Sequence, residues 1–419
     1  MLRKLHFFLY NPKMHALFDK FFPFWRIRNI ALFYLLSMVY GMWFVSGVWV
    51  FIWGRFMSNT QIGISDAITF TIGFLVEIPS GVIADTIGRK KAILAGNILM
   101  TVGNFLLALS SSFLGITAWY LVWTIGYAFQ SGATEALAYD SLRREGLEKD
   151  WEKVISTSTI IGRASSLITT AAGGLLFSIW FRLPYLVLAV CGVVGVVAAL
   201  LLKEILVKKS EELPSFSLYF NQIKDGLSTL SRQSVFPIAL VSISAMGISY
   251  MFDWGLLRPL TAERFGYTPQ TYAYLLSLMS LSTIVALGFL PKLRKRVSLE
   301  KLLYLIVGVY ATTFFLAGFS LVWFVGGLLM ILLSVFSTFI EILFSRFINL
   351  HTREEHRATT LSAVALFTRL PYVFLALVIG RLADSNLLPQ YTLVVGGIGI
   401  FIWVVSLLLF HRSSTTVLS

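Results

Sequence analysis

The sequence predicts an all-α integral membrane protein with twelve transmembrane helices in two parallel six-helix bundles and both termini in the cytoplasm. Three observations lead to this fold class: the composition, the succession of apolar stretches, and the placement of the basic residues. Of the 419 residues, 57% are hydrophobic and only 13% are charged, whereas about a quarter of a soluble domain is charged. Most of the chain is therefore predicted to lie in lipid.

The N-terminal segment, residues 1–28, mixes aromatic and aliphatic side chains with several Lys and Arg residues. This mixture is typical of a basic amphipathic segment that lies on the inner membrane surface. A disordered basic tail is the alternative interpretation.

Twelve stretches are long and apolar enough to cross a bilayer, which takes about 20 residues. The first six, spans 1 to 6, are 29–53, 61–84, 92–110, 115–142, 154–179 and 184–202. Spans 7 to 12 are 235–257, 268–290, 299–319, 323–350, 359–383 and 390–410. Between them, residues 204–234 carry charges, Pro214 and apolar residues at helical spacing, which predicts a cytoplasmic linker with an interfacial helix. The predicted bundles are therefore 29–203 and 235–411, followed by a tail, 412–419.

Basic residues cluster in alternate connections: before span 1, after spans 2, 4, 8 and 10, and in the linker that follows span 6. The positive-inside rule places these connections and both termini in the cytoplasm, which predicts a multi-pass protein of the inner (cytoplasmic) membrane. In a soluble protein the net charge of +13 would suggest a nucleic-acid partner. Because the basic residues flank apolar stretches, we expect lipid headgroups to be their partners and no nucleic acid.

An internal repeat relates the two halves of the chain. At an offset of 206 residues the pairs are Glu135/Glu341, Asp140/Arg346, Arg163/Arg369 and Gly174/Gly380, and at 207 they are Gly81/Gly288 and Asp85/Lys292. These pairs fall at matching places in the two sets of six spans. The repeat therefore predicts two parallel halves of the same architecture.

A short charged turn between spans 2 and 3 reads Gly81-x-x-x-Asp85-x-x-Gly88-Arg89-Lys90. It resembles the loop signature of the major facilitator superfamily, and the stretches 131–142 and 355–362 resemble bacterial members of it. The resemblance implies the major facilitator fold and secondary transport of a small molecule by alternating access. We expect a monomer.

In relatives the Asp and Arg of this turn help to hold the cytoplasmic side closed, together with an acid at the end of span 4, here Asp140. Their repeat mates in the second half, Lys292 and Arg346, are basic. We therefore predict that Asp85 and Asp140 meet positive charge, or a helix N-terminus, from the other half. The alternative is that Asp85 pairs only with Arg89 inside its own half.

Ionisable residues inside spans need a reason, since each costs about 2.5–3.5 kcal/mol at a helix centre on insertion scales. Five such residues are the candidates for substrate binding or proton coupling: Glu135, Arg163, Asp253, Glu341 and Arg369. One interpretation is a buried ion pair in each half, Glu135 with Arg163 and Glu341 with Arg369. The other is that at least one Glu faces the central cavity and exchanges a proton.

Asp253 has no repeat mate, and its nearest basic residue in sequence is Arg258. It is predicted either to pair with Arg258 or to line the cavity. Five aromatic residues of spans 1, 4 and 7 are candidates for the same cavity, with membrane-interface or packing roles as the alternative: Tyr40, Trp43, Tyr127, Tyr250 and Trp254. Glu77, two residues before Pro79, has no assigned role; pairing within the first half is the default.

The sequence offers no nucleotide-binding loop and no catalytic triad, so we expect no enzymatic activity and transport driven by a gradient. The single Cys191 excludes a cysteine-based metal site, and no cofactor is expected apart from H⁺ as the coupling ion. Residues 169–174 match only the final glycines of a G-P-x-x-G-G motif found in proton antiporters of the superfamily.

The preferred prediction for function is proton-coupled efflux of amphipathic or lipophilic compounds. The alternative is a gradient-driven importer or facilitator of a specific solute, for example an anion bound by Arg163 and Arg369.

Overall fold

The computed structural model describes residues 19, 21–205, 230–231, 235–352 and 357–416. Within these ranges the regular structure consists of helices, as predicted. Most of the predicted N-terminal amphipathic segment and of the interfacial helix in the linker lies outside the described residues.

The helices of the first half begin with α1 and end with α8, with a single 3₁₀ turn, Glu148–Asp150, before α7. Their bounds are α1 Arg28–Tyr40, α2 Trp49–Trp53, α3 Asn59–Ile87, α4 Arg89–Leu109, α5 Phe113–Gln130, α6 Ala133–Arg144, α7 Trp151–Ile179 and α8 Leu183–Leu201.

The helices of the second half include two short ones, α10 and α12, that follow spans 7 and 8. The bounds are α9 Phe236–Trp254, α10 Leu257–Arg264, α11 Pro269–Leu287, α12 Leu290–Arg296, α13 Leu299–Leu316, α14 Trp323–His351, α15 Arg357–Asp384 and α16 Leu388–Thr416.

Among the described residues, 9 helices are long and apolar enough to cross a membrane, and 10 when the bent helix α3 is counted as one span. Helix α3 bends by 45° between Glu77 and Pro79, because proline lacks the backbone N–H and its ring displaces the preceding turn. The many-span helical fold is therefore confirmed, while the full number of twelve and the cytoplasmic termini stay predictions.

Predicted spans 1 and 4 differ from the structure because each is broken. Span 1 is interrupted between Tyr40 and Trp49, and span 4 is interrupted at Ser131 and Gly132. Gly132 has φ 71°, in the left-handed region that glycine adopts without steric cost. The break consists of Ser131 and Gly132 only, too short an interruption to change the hydropathy of the stretch, so apolar content alone predicts one continuous helix.

The chain divides by its contacts into two units. The first comprises the described residues within 19–46 and 69–205. Its core is built where α4 packs on α5 and on α8, around buried residues that include Leu36, Ile93 and Leu137. Gly96 of α4 and Gly126 of α5 face each other so closely that a Cβ on Gly96 would lie 2.6 Å from the Gly126 carbonyl oxygen. Small residues thus allow close helix contact where no hydrophobic effect drives association.

The second unit comprises the described residues within 47–68 and 230–416. Residues 47–68 were predicted with the N-terminal bundle, but their contacts are with the second half of the chain. A Cβ on Gly47, for example, would lie 2.8 Å from Ala273 of α11. Helix α3 therefore begins in the second unit and continues, through Ile68 and Thr69, into the first.

Candidate functional site

The charged turn between α3 and α4 is set by Gly88, whose φ of 104° lies in the region that favours glycine. Gly88 directly precedes Arg89, the first residue of α4. Gly81, one turn before Asp85 on α3, is exposed, and a Cβ there would meet nothing within 4 Å. The spacing of the signature thus places its charges at the facing ends of two helices.

Arg89 joins both predicted acids of the first half. Its Nε donates to Asp85 Oδ1 at 3.3 Å, and its Nη1 donates to Asp140 Oδ2 at the end of α6. The side chain of Asp85 is 69% exposed, whereas that of Asp140 is 7% exposed. Both contacts lie within the first unit. The alternative interpretation of the sequence likewise paired Asp85 with Arg89 inside its own half. The predicted meeting of these acids with charges of the other half stays a prediction.

Glu204, placed in the linker by the sequence, also belongs to this cluster. Its two carboxylate oxygens accept the backbone N–H groups of Arg89 at 3.1 Å and of Lys90 at 3.0 Å. A carboxylate at this position satisfies donors that a helix N-terminus leaves free and interacts favourably with the helix dipole. Hydropathy could not find this role, since Glu204 lies 115 residues from its partner.

The corresponding second-half positions carry basic side chains at exposed places. Lys292 Nζ of α12 lies 5.6 Å from the centre of the Phe289 ring, and Arg346 is exposed on α14. Within the described part of the chain, neither forms an ion pair with an acid.

The two Glu–Arg pairs suggested by the repeat do not form ion pairs within the described ranges. Glu135 and Arg163 are exposed, and so are Glu341 and Arg369. Glu135 lies in the first turn of α6, where the helix dipole favours a carboxylate. Arg369 instead extends over the ring of Tyr250, with 5.8 Å from the guanidinium carbon to the ring centre.

Asp253 pairs with Arg258, one of the two roles predicted for it. Arg258 Nη1 donates to Asp253 Oδ1 at 2.8 Å, and Ser249 Oγ donates to Asp253 Oδ2 at 3.1 Å. Arg258 Nε also donates to Tyr272 Oη at 3.2 Å. Burial acts to lower the pKa of Arg258, but Tyr272 and the Asp253 carboxylate outweigh it and raise that pKa. Arg258 therefore keeps its positive charge beside Asp253.

The candidate aromatics form two clusters, one in each unit. In the first, Trp43 meets the edge of Trp123 at 5.9 Å, and Trp123 stacks on Tyr127 at 5.7 Å. Tyr40 lies nearby in sequence, and its hydroxyl accepts a hydrogen bond from Asn97 Nδ2 at 2.7 Å.

In the second unit, Tyr250 and Trp254 stack at 6.1 Å, one turn apart on α9. Trp254 is 56% exposed, and Tyr127 of the first cluster is 46% exposed. Both clusters therefore combine packing contacts with an open aromatic face.

A further carboxyl group, Asp66, was missed by the sequence reasoning. It lies on α3, is 1% exposed, and accepts a hydrogen bond from the hydroxyl of Tyr372 on α15. Its position inside predicted span 2 was the available signal. Glu77, farther along the same helix, is exposed, and its backbone carbonyl accepts a hydrogen bond from Ser80 Oγ at 2.8 Å.

The fold and these side chains define a helical protein with many membrane spans that carry ionisable residues, the class to which membrane transporters belong. Residues 30–376 match the sequence profile described as Major Facilitator Superfamily. The match covers most of the chain, which therefore belongs to the major facilitator superfamily and is a secondary transporter, not an enzyme.

Solved structures of this fold resemble the chain at low sequence identity. The nucleoside transporter NupG matches with a TM-score of 0.73 and 14% identity, over 91% of this chain and 98% of that one. A bacterial homologue of the human lysosomal transporter Spinster matches with a TM-score of 0.64 and 15% identity, over 92% and 97% of the two chains. The POT family transporter PepTSo matches with a TM-score of 0.68 and 12% identity, over 93% and 98%. No curated protein matches the sequence.

Proposed function

We propose that this chain exports amphipathic small molecules in exchange for protons. The observation that carries the proposal is that Glu135 and Glu341, at repeat-related positions within membrane spans, are both exposed. Exposure of a carboxylate to acyl chains is costly, so such residues face water or a protein interior. A carboxyl group reached by water can gain and lose a proton as the local environment changes.

The aromatic clusters support an amphipathic substrate. Tyr127 and Trp254 each present a ring that is about half exposed, stacked on a second aromatic ring in the same unit. Open aromatic faces bind apolar and cationic groups without demanding one shape. If a carboxyl group lies at the same site, a lipophilic cation that binds there favours the charged carboxylate and therefore displaces its proton.

Transport by reconstituted protein tests this function. Proteoliposomes with an imposed pH gradient are given the lipophilic cation tetraphenylphosphonium, and its accumulation is followed with and without the gradient. We expect gradient-driven accumulation by the native protein, and loss of the response in Glu135→Gln and Glu341→Gln. Glu152→Gln, which alters an exposed acid at the start of α7, is the matched control and should keep the response. Equal responses in all the variants would contradict the assignment of the two acids.

A second candidate function is uptake of a specific anionic solute. Arg369 favours it, because this guanidinium is exposed beside Tyr250 and forms no ion pair with a carboxylate among the described residues. Proteins of the same fold include a nucleoside transporter and a POT family transporter in complex with 5-aminolevulinic acid. The fold alone therefore leaves room for a defined solute.

Thermal stabilisation by ligands separates the two candidates, since a ligand that binds the folded state raises its apparent stability. Uptake of an anion predicts stabilisation by small carboxylates that is lost in Arg369→Ala and partly kept in Arg369→Lys. Stabilisation by tetraphenylphosphonium, unchanged in Arg369→Ala, would favour export.

A further inference from the structure

The first two turns of α3 form a close contact with α15 within the second unit. We call the contact between residues 59–66 of α3 and residues 372–384 of α15 the α3–α15 seam. A Cβ on Gly63 would collide with the carbonyl oxygen of Ala376, and one on Gly380 would collide with that of Asn59. The two backbones therefore touch directly, and a glycine on each helix permits it.

A carboxyl group lies at each end of the seam. At one end Asp384 accepts the backbone N–H groups of Asn59 at 3.0 Å and Thr60 at 2.8 Å, and the Thr60 hydroxyl at 2.6 Å. Asp384 is exposed, so water also solvates it. At the other end Asp66 is 1% exposed and accepts the Tyr372 hydroxyl.

The two carboxyl groups differ in which protonation state their surroundings favour. An exposed carboxylate at a helix N-terminus is stable in its charged form. A buried carboxylate is far more costly than the buried neutral acid, and a hydroxyl donor such as that of Tyr372 offsets part of that cost. Closing the seam therefore favours a proton on Asp66, and opening it to water favours release of that proton.

We propose that Asp66 is a proton-binding site, and that proton binding there holds the α3–α15 seam closed. The proposal deepens the proposed proton coupling and rests on it for its role in transport. Helix α3 leaves the seam and continues into the first unit through Ile68 and Thr69. The seam is thus the place where a rearrangement of contacts during alternating access would reach a titratable group.

Other ionisable groups surround Asp66 without replacing it. Along α3, the next charged residue after Asp66 is Glu77. Helix α15 itself carries Arg369, Tyr372, Arg381 and Asp384. The helices that pack on it carry further titratable or charged side chains among the described residues: Tyr250 and Asp253 of α9, Glu341, Arg346 and His351 of α14, and Tyr391 of α16. Asp253 is already held by Arg258 and Asp384 by the start of α3. Asp66 is the buried carboxyl of this set.

The distance across the seam, measured as a function of pH, tests the proposal. Spin labels are attached to Ser58→Cys and Ser385→Cys, two exposed positions beside the seam, after Cys191→Ala removes the native cysteine. Electron–electron distances are then recorded on the reconstituted full-length protein. We expect the ratio of short-distance to long-distance populations to rise as the pH falls, by up to tenfold per pH unit for one linked proton.

Three variants identify the responsible group. Asp66→Asn, which resembles the neutral acid, should hold the short distance at every pH. Tyr372→Phe keeps the ring but removes the donor that favours the charged carboxylate, so the midpoint should move to higher pH. Asp384→Asn is the matched control, because it removes the other carboxyl of the same seam: it should lengthen the distances overall and keep the pH dependence.

Two results would overturn the proposal: a distance distribution in the labelled parent protein that does not change with pH, or an unchanged pH dependence in Asp66→Asn. If Asp66→Asn does not fold, the shift in Tyr372→Phe decides, and an unchanged midpoint would overturn it. The transport assay separates this failure from failure of the proposed function. If the seam distance responds to pH but no gradient-driven transport is seen, only proton-coupled export is refuted. If gradient-driven transport is seen but the pH dependence of the seam distance is unchanged in Asp66→Asn, only the seam proposal is refuted.

Discussion

At the scale of single residues, Arg89 is the side chain on which the cytoplasmic-loop signature depends. It binds the buried Asp140 and the exposed Asp85 at once. We expect Arg89→Ala to lower the free energy of unfolding by about 3 kcal/mol, because it leaves the Asp140 carboxylate buried without this partner. Asp85→Asn should cost less than about 1 kcal/mol, as is usual for an exposed ion pair.

Thermal unfolding of the purified protein in detergent checks this difference. Lys90→Ala is the matched control, because Lys90 is the adjacent base and forms no ion pair within the described ranges. Its effect should stay within about 0.5 kcal/mol. If Lys90→Ala loses as much stability as Arg89→Ala, the effect comes from the net positive charge of the turn and not from the contact between Arg89 and Asp140.

The sequence predicted the residues of this cluster only where a local motif contains them. Asp85 and Arg89 share one turn and Asp140 was added by family resemblance, so all three could be named in advance. Glu204 and Asp66 could not be placed, because their partners lie more than a hundred residues away. For Glu135 and Arg163, opposite charges inside two consecutive spans predicted a possible pair, but position along a span does not determine which way each side chain points.

At the scale of helices, the interruption of span 1 is held against α7 by glycine. A Cβ on Gly173 would overlap the carbonyl oxygen of Phe44, which lies in the break between α1 and α2. We expect Gly173→Ala to destabilise the protein by about 1–3 kcal/mol, since the added methyl group forces the backbone to move. Gly397→Ala of α16 is the control, because a Cβ there meets nothing within 4 Å.

The free energy of unfolding of Gly397→Ala should be unchanged or higher by up to about 1 kcal/mol, since alanine restricts the unfolded chain and favours a helix. Melting temperatures of both variants and of the native protein give the comparison. Equal melting temperatures for Gly173→Ala and the native protein would show that the break does not depend on this contact.

This contact also gives Gly173 a structural explanation. Gly173 belongs to the part of the antiporter motif that the sequence retains, and in the structure it lies where α7 contacts the broken first span. Hydropathy predicted where most helices begin and end to within a few residues. It could not predict the breaks in spans 1 and 4, because a backbone interruption leaves the apolar composition unchanged.

At the scale of the whole molecule, the basic residues predict the orientation of the chain in the membrane. In the Cys191→Ala background, a single cysteine is placed in the connection between α15 and α16, Ser385→Cys, or in α12, Lys295→Cys. The positive-inside rule predicts that a membrane-impermeant maleimide labels Ser385→Cys in intact cells. Lys295→Cys should react only after the membrane is permeabilised.

Labelling of Lys295→Cys from outside would show that the predicted orientation is inverted. The predicted bundles are contiguous in sequence, whereas the contacts group residues 47–68 with the second half of the chain. A repeat read from sequence reports shared ancestry of the halves. It does not report which neighbours a helix has in a particular conformation, so this segment could not be assigned in advance.

Helix α3 carries two sets of contacts, and the helical repeat fixes the angle between the side chains that form them. Gly63 and Asp66 must face α15, while Asp85, farther along the same helix, must face Arg89. Inserting one residue between Asp66 and Asp85 would rotate one set by about 100° relative to the other, although the hydropathy of the span would hardly change. Among homologous sequences, we therefore expect this interval to exchange its apolar residues freely and to resist insertions and deletions. In an alignment, the interval between Asp66 and Asp85 would then be free of gaps although its residues vary.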